Sequence, residues 1–379
     1  MNFALATLRH DKSRFIPAIG AVTFSATLIA LQLGLLIGLF SLTSVPIDHT
    51  HAHIWIGSPN VPNVDVGRPI PQSFIERLAD YPDIDRVEVY IHSFGAFIKP
   101  DNSSDVCVVI GCNLEDNSLG GFPELTPELR VLLSEPGAVV IDESEKVKTG
   151  LHQIGDIAQI SHDPRERIRR IRLVGYTKGV KSIAGAYVFC SIETARKLLS
   201  LSPDSTTYLL VTCNPPERAP AVVADLRRRY PDDMSVFTSK EFSIRTQKHW
   251  VTKTSAGIAL GFAACLGLLV GSVITSQTLY AATMASMREY GVLMAMGIPR
   301  WRISLTVLTQ SFWVGIIGTL LAFPVISLLT EAASLLKVRP IVPLWVFAAT
   351  AATTVVMAIV SGLLALRSVS KIEPVNLLR

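Results

Sequence analysis

Four stretches of this chain contain no Asp, Glu, Lys or Arg: residues 15–47, 254–287, 303–330 and 340–366. Each is longer than the ~20 residues an α-helix needs to cross a hydrocarbon core. Over all 379 residues, 17% are charged and 49% apolar, against roughly a quarter charged in an average soluble domain. The charges present are crowded into the segments between the four stretches. Such patterning disfavours a disordered, collagen-like or disulfide-scaffold protein and a plain cytosolic enzyme alike. It predicts an α-helical membrane protein with four transmembrane helices and a large mixed α/β extracytoplasmic domain between helices 1 and 2.

The expected boundaries follow the charges. Residues 1–14 form a cytoplasmic N-terminal segment, 15–43 helix 1, and 44–250 the extracytoplasmic (periplasmic) domain, with a stalk at 239–253. Helix 2 is expected at 254–280, a cytoplasmic segment at 281–302, helix 3 at 303–330, a short outer loop at 331–341, helix 4 at 342–366 and a cytoplasmic tail at 367–379. The first apolar run far exceeds the ~7–15 residues of a signal-peptide core, so an uncleaved anchor is expected. Segments 1–14, 281–302 and 367–379 each carry a net charge of +2, whereas 44–250 carries −4. Basic segments stay on the cytoplasmic side. Both termini are therefore expected inside and the acidic domain outside.

The domain reads as small α/β subdomains, because strands and helices alternate along its second half. Expected strands are Val106–Gly111, Ala138–Ile141, Arg167–Val174, Ala186–Cys190, Thr207–Cys213 and Met234–Phe237, with a strand or hairpin over Arg86–Ile98. Expected helices are Pro71–Leu78, Ile192–Leu199 and Glu217–Tyr230. Segment 239–253 lacks Pro and Gly. It either continues helix 2 outward as a stalk or ends at the interface with Trp250 as an anchor. In helix 2, Gly257/Gly261 and Gly267/Gly271 are both G-x-x-x-G pairs, which permit close helix approach within one subunit or between two copies.

Several candidate sites are weak. His49, His51 and His53 would share one face of a strand, an arrangement open to zinc or copper, or would line a half-exposed polar strand. Cys107 and Cys112, if extended, are ~16 Å apart, beyond disulfide reach. The disulfide state of the outer cysteines is not fixed by spacing. The basic run Arg165–Arg172 fits a strand edge protected by charge, and its expected outer location argues against nucleic acid. The chain has no G-x-x-x-x-G-K-[ST], G-x-S-x-G or H-E-x-x-H motif, so no catalytic, cofactor-binding or metal residue is assigned. Nor is there an acidic residue inside a span, unlike a proton relay.

The most informative segment lies between helices 2 and 3: Arg288-Glu289-Tyr290-Gly291-Val292-Leu293-Met294-Ala295-Met296-Gly297-Ile298-Pro299. A helix over Met284–Met296 would stop at Gly297, with Pro299 preventing continuation. Such a helix lies on the membrane or in a partner's groove. Glu-Tyr-Gly-x-Leu-x-Ala-x-Gly before a span is similar to the coupling-helix motif of MacB/FtsX-type ABC transporter permeases. The layout of one span, a large domain and three further spans is similar too, as is the terminal Ile372–Arg379 run. His10-Asp11-Lys12, the Val270–Tyr280 run and the missing ATPase region resemble the DevC-like branch. Met294 departs from the pattern, since relatives often carry Lys or Arg there.

The resemblance implies a non-catalytic permease subunit working with a cytoplasmic ABC ATPase subunit, which would bind ATP and Mg. It implies ATPase coupling for Glu289, Tyr290, Gly291, Leu293, Ala295 and Gly297. It also implies a second permease copy (homodimer), a periplasmic adaptor with an outer-membrane duct, contact with membrane lipid, and the bacterial cytoplasmic (inner) membrane. Two alternatives remain open at this point. One is an FtsX-like regulator of a cell-wall hydrolase, and the other is a membrane sensor of peptide or metal.

Overall fold

A computed structural model describes residues 12–99, 103–161, 169–335 and 342–369. The chain begins with a long helix α1 (Lys12–Ser41) and a short α2 (Val45–Asp48), followed by β1 (Ile54–Gly57), β2 (Ile70–Pro71), α3 (Phe74–Leu78), β3 (Ile84–Ile98) and β4 (Ser104–Cys112). Next come α4 (Pro127–Leu133), β5 (Ala138–Asp142), α5 (Lys146–Thr149), β6 (Ile157–Ser161), β7 (Arg169–Thr177) and β8 (Ala186–Ser191). The domain ends with α6 (Ile192–Leu198), β9 (Ser205–Thr206), β10 (Tyr208–Cys213), α7 (Ala219–Arg229), β11 (Ser235–Thr238) and α8 (Ser239–Lys253). Four helices close the described chain: α9 (Ser255–Ala285), α10 (Met287–Ala295), α11 (Arg300–Leu335) and α12 (Leu344–Val369). Two compact units result, one from the long helices and one from Phe40–Thr254.

Among the described residues, four helices are long and apolar enough to cross a membrane: Phe15–Asp48, Ser255–Ala285, Trp301–Ala333 and Leu344–Leu363. They are apolar on all sides, as helices facing lipid as well as one another must be. Ile258, Phe262, Leu266, Leu269 and Val273 are all exposed along α9. The helices meet through small residues. Gly271 lies against Ser25, whose hydroxyl donates to Gly271 O at 3.1 Å and sits 3.2 Å from the Thr275 hydroxyl. Gly267 lies under Gln32, and Gly318 under Val22. The hydroxyls of Thr319 and Thr354 lie 2.8 Å apart between α11 and α12. The second G-x-x-x-G pair is thus spent inside the subunit. A side chain at Gly261, from the first pair, would meet nothing.

The second unit contains a sheet ordered β11-β1-β10-β3-β4-β8-β5-β7-β6, in which β6 returns to pair with β3. This closure divides the unit into two lobes. In the first, β1-α3-β3-β10-α7-β11 is an antiparallel βαββαβ arrangement of the ferredoxin-like kind. One sheet face buries Ile54, Ile56, Leu209 and Val211 against Phe74 and Leu78 of α3 and Val222, Val223 and Leu226 of α7. Strand alternation sends Trp55, Tyr208 and Leu210 to the other face, where they join Phe242 of α8.

The second lobe is a ring of six strands, β3-β4-β8-β5-β7-β6. All six contribute to one apolar cluster that includes Ile91, Val109, Val139, Ile160, Leu173 and Val188. Helix α6 packs over β3, β4 and β8. Its Ala195 lies so close to Gly111 that a side chain there would collide.

The strand β3 belongs to both lobes. Residues 84–90 pair with β10, residues 91–98 with β4, and 96–98 also with β6. Arg86–Ile98 is therefore part of one 15-residue strand rather than a hairpin, and the expected subdomains are lobes joined by a shared strand. Strands β1 and β6 and helix α4 are additional to the sequence expectations. In β7, Arg169–Arg172 pair with β6 and Arg172–Thr177 with β5, so Arg169–Ile171 have a strand partner on one side, and Arg169, Arg170 and Arg172 face solvent while Ile171 and Leu173 face inward. Arg165–Ile168 lie outside the described residues.

Candidate functional site

The connection between α9 and α11 is built from the residues singled out in the sequence. Helix α9 runs to Ala285, and a break at Ser286 starts α10 two residues later. The end of α10 is fixed by a paired cap. Gly297 adopts φ +91°, its N–H donates to Met294 O at 3.0 Å, and Ile298 N–H donates to Leu293 O at 3.1 Å. This is the Schellman pattern, in which a glycine takes the left-handed position and the flanking apolar residues touch. Pro299 then blocks further helix. The sequence expectation of a stop at Gly297 holds, while the helix starts three residues later than expected.

The motif residues divide between two faces. Tyr290 is only 4% exposed and packs with Ile303 and Val307 of α11, flanked by Leu293, Met294 and Ile298. Its hydroxyl donates to Gln310 Oε1 at 2.9 Å. Gln310 is itself buried and its Nε2 has no partner. Facing the other way are Glu289, Val292 and Met296, all exposed. Residues spaced three and four apart share a helix face, so these three form one outward stripe. Gly291 is half-buried, and Ala295 occupies the last turn of α10. Tyr290 and Leu293 therefore seat the helix, and the stripe beside them is what another protein could touch. Sequence reading missed Gln310, although it lies within the charge-free run 303–330.

At the other end of α9, α8 covers the whole expected stalk 239–253. It is not continuous with the span, because Thr254 is extended (φ −96°, ψ 148°). Side chains fasten α8 to the domain along its length. Ser239 donates to Ala52 O, Arg245 Nε to Val61 O at 3.2 Å, and Gln247 Nε2 to Ser44 Oγ at 2.8 Å. Thr246 Oγ1 accepts from Val64 N at 3.3 Å. Trp250 does not behave as a free interfacial anchor: its indole N–H donates to Asp65 Oδ2 at 2.9 Å.

The three histidines do not form a shared face. His49 follows α2 and its Nδ1 lies 3.2 Å from Glu124 Oε1. His51 is exposed, and His53 Nδ1 accepts the Cys213 N–H at 3.0 Å. Among the described residues no His, Cys, Asp and Glu group could hold a metal ion. Cys107, Cys112, Cys190 and Cys213 are buried and unbonded, whereas Cys265 is unbonded and exposed. Burial pushes the Cys107 and Cys112 thiols from the ordinary 9.0 up to about 12. Ile372–Arg379 and His10–Asp11 lie outside the described residues.

Comparison with known proteins places a family on this geometry. Residues 261–374, containing α10, α11 and α12, match the family described as FtsX-like permease C-terminal. The domain is similar to the periplasmic region of MacB from Actinobacillus actinomycetemcomitans, at 16% identity and TM-score 0.31, covering 55% of this chain and 97% of that one. It is also similar to the extracellular domain of the ABC-type transporter YknZ from Gram-positive bacteria, at 10% identity and TM-score 0.32, covering 49% of this chain and 100% of that one. No curated protein matches the chain in sequence. The MacB/FtsX resemblance read from the sequence is thus matched by an FtsX-like permease domain, in a protein with four membrane-crossing helices.

Proposed function

We propose that this chain, whose residues 261–374 are an FtsX-like permease C-terminal domain, is the membrane subunit of an ABC transporter driven by a separate cytoplasmic ATPase. The carrying observation is the split of α10 into a seated face at Tyr290 and an exposed stripe at Glu289, Val292 and Met296. An ATPase cleft with apolar walls and a cationic rim would take that stripe. Displacing α10 would then displace α11 through Tyr290 and Gln310, and α9 through the chain itself. Glu289, Gly291, Leu293, Ala295 and Gly297 serve this coupling by shape and charge rather than by catalysis.

In this reading the chain lies in the bacterial inner membrane with both termini cytoplasmic and the α/β domain outside, as the basic segments favour. It acts as a homodimer of the DevC-like kind, exporting its substrate with a periplasmic adaptor and an outer-membrane duct. The test is purification in mild detergent and a search for a co-purifying P-loop ATPase. Val292→Asp with Met296→Asp is expected to lower recovery of the ATPase at least ~10-fold, the equivalent of about 1.4 kcal/mol. Undiminished recovery would exclude the stripe as the docking face. A cell-wall hydrolase bound to the domain, with no molecule exported, would replace transport by hydrolase regulation.

A further inference from the structure

We propose that the Asp65 carboxylate is a mechanical joint that couples α8, the helix preceding the second span, to the point on β3 where the two lobes of the domain meet. The inference takes from the transport reading only the source of motion, because the joint itself lies wholly within the domain.

The geometry starts from a buried charge. Asp65 is 4% exposed, and its two oxygens are divided between two elements. Oδ2 accepts the indole N–H of Trp250 on α8 at 2.9 Å, and Oδ1 lies 3.1 Å from Nε2 of His92 on β3. His92 is fully buried and its Nδ1 has no partner. A carboxylate taken out of water is costly unless it is paired and hydrogen-bonded, and an apolar residue would fill the same space more cheaply. Retaining Asp, His and Trp here makes sense if orientation matters more than stability.

The place of His92 gives the arrangement its direction. Strand β3 pairs with β10 as far as Tyr90 and with β4 from Ile91, so His92 lies beside the changeover. There the ladder is replaced by hydroxyls: Thr207 Oγ1 accepts the His92 N–H at 2.7 Å, and Thr206 and Thr207 both donate to Tyr90 O. A seam held by side chains can change angle with less backbone disruption than a continuous ladder.

The segment carrying Asp65 is fixed independently. Asn63 Oδ1 accepts from Asp65 N and Val66 N, and the Tyr208 hydroxyl donates to Val64 O at 2.8 Å. The Tyr208 ring lies so close to Gly67 that a side chain there would collide. Burial first, and then the charge on Asp65, push the Tyr208 hydroxyl well above the usual tyrosine range, so the carboxylate is felt by the groups around it. A rigid turn thus holds one carboxylate between α8, which precedes the second span in the chain, and a pivot strand.

The experiment uses the full chain in nanodiscs with Cys265→Ser, which removes the exposed thiol and leaves the four buried ones. Spin labels on Asp232→Cys, in the first lobe, and Val147→Cys, in the second, report the separation of the lobes by pulsed electron resonance. The parent is expected to give a single narrow distance peak. Trp250→Phe keeps a ring on α8 but removes the N–H, and should abolish that single peak although Trp250 belongs to neither lobe's sheet. Asp65→Asn should do the same, and Gln247→Ala, which loses only the bond to Ser44, should leave the peak intact.

An unchanged peak in Trp250→Phe would overturn the proposal. So would an equal effect of Gln247→Ala, or a loss of the peak that appears only with loss of the thermal transition. Failure to find an ATPase partner would end the transport reading without touching this result.

Discussion

Two short helices flank the second span, and they are held in opposite ways. Helix α8, 15 residues long, is tied to its domain by polar side chains of Ser239, Arg245, Thr246, Gln247 and Trp250. Helix α10, nine residues long, rests on an apolar seat with the Tyr290–Gln310 bond as a polar tie. Each tie in the domain exchanges a bond to water for one to protein and gains about 1 kcal/mol. The partners therefore have to be numerous and fixed. The contrast is between a helix held by polar side chains along its length and one seated mainly on apolar contacts.

Alkali should separate the two units most strongly. The Cys107 and Cys112 thiols are raised from 9.0 to about 12 by burial, so the folded domain binds more protons than the unfolded chain between these values. Their stabilisation is complete below pH 9 and is lost as pH rises toward 12. The near-ultraviolet signal of the domain aromatics is expected to collapse over that interval while far-ultraviolet helicity from the spans persists. Simultaneous loss of both signals would break the comparison.

Removing the central carboxylate comes next. Asp65→Ala leaves His92 and Trp250 without their common partner and should cost the domain about 3 kcal/mol, read as a lower denaturant midpoint. Tyr290→Phe is expected to cost less, about 1 kcal/mol, seen as faster amide exchange confined to α10 and the first turns of α11. A slowing of exchange there would mean that the bond strains the helix instead of holding it. Smallest of all, Glu289→Ala should change stability by under ~0.5 kcal/mol, since its side chain is exposed. It should nevertheless weaken ATPase recovery, and a large stability loss would assign Glu289 to the seat rather than to the docking stripe.

The spans were legible because solvent imposes them: a helix in lipid must be apolar for its whole length, and charge marks where it stops. The end of α10 was legible for a local reason, the Gly297-Ile298-Pro299 cap. Which face of α10 points outward was not, because Tyr290, Leu293 and Met296 are all apolar enough to be buried, and only the position of α11 decides among them. The ring of six strands was hidden for a similar reason. Its closure depends on Ala96–Ile98 meeting Gln159–Ser161, a pairing between residues more than 60 positions apart that no periodicity announces. Trp250 lies further still from Asp65, at 185 positions, while His92 is 27 positions from it. The H-x-H-x-H spacing, by contrast, was a local pattern without a local structure, since the chain at 49–53 follows a helix and has not yet become a strand.

The neighbouring positions of β1 and β11 bear on how the domain resists being pulled. Ile54 pairs with Thr238, so the chain enters and leaves at the same end of one four-residue ladder, with α8 joined directly to the outer strand. Tension along α8 would act on that ladder as on a zipper, opening its hydrogen bonds one after another instead of shearing them together. The side-chain ties of α8 lie ahead of that ladder on the same path. A tug from the membrane must therefore break them before it can begin to peel β11 away.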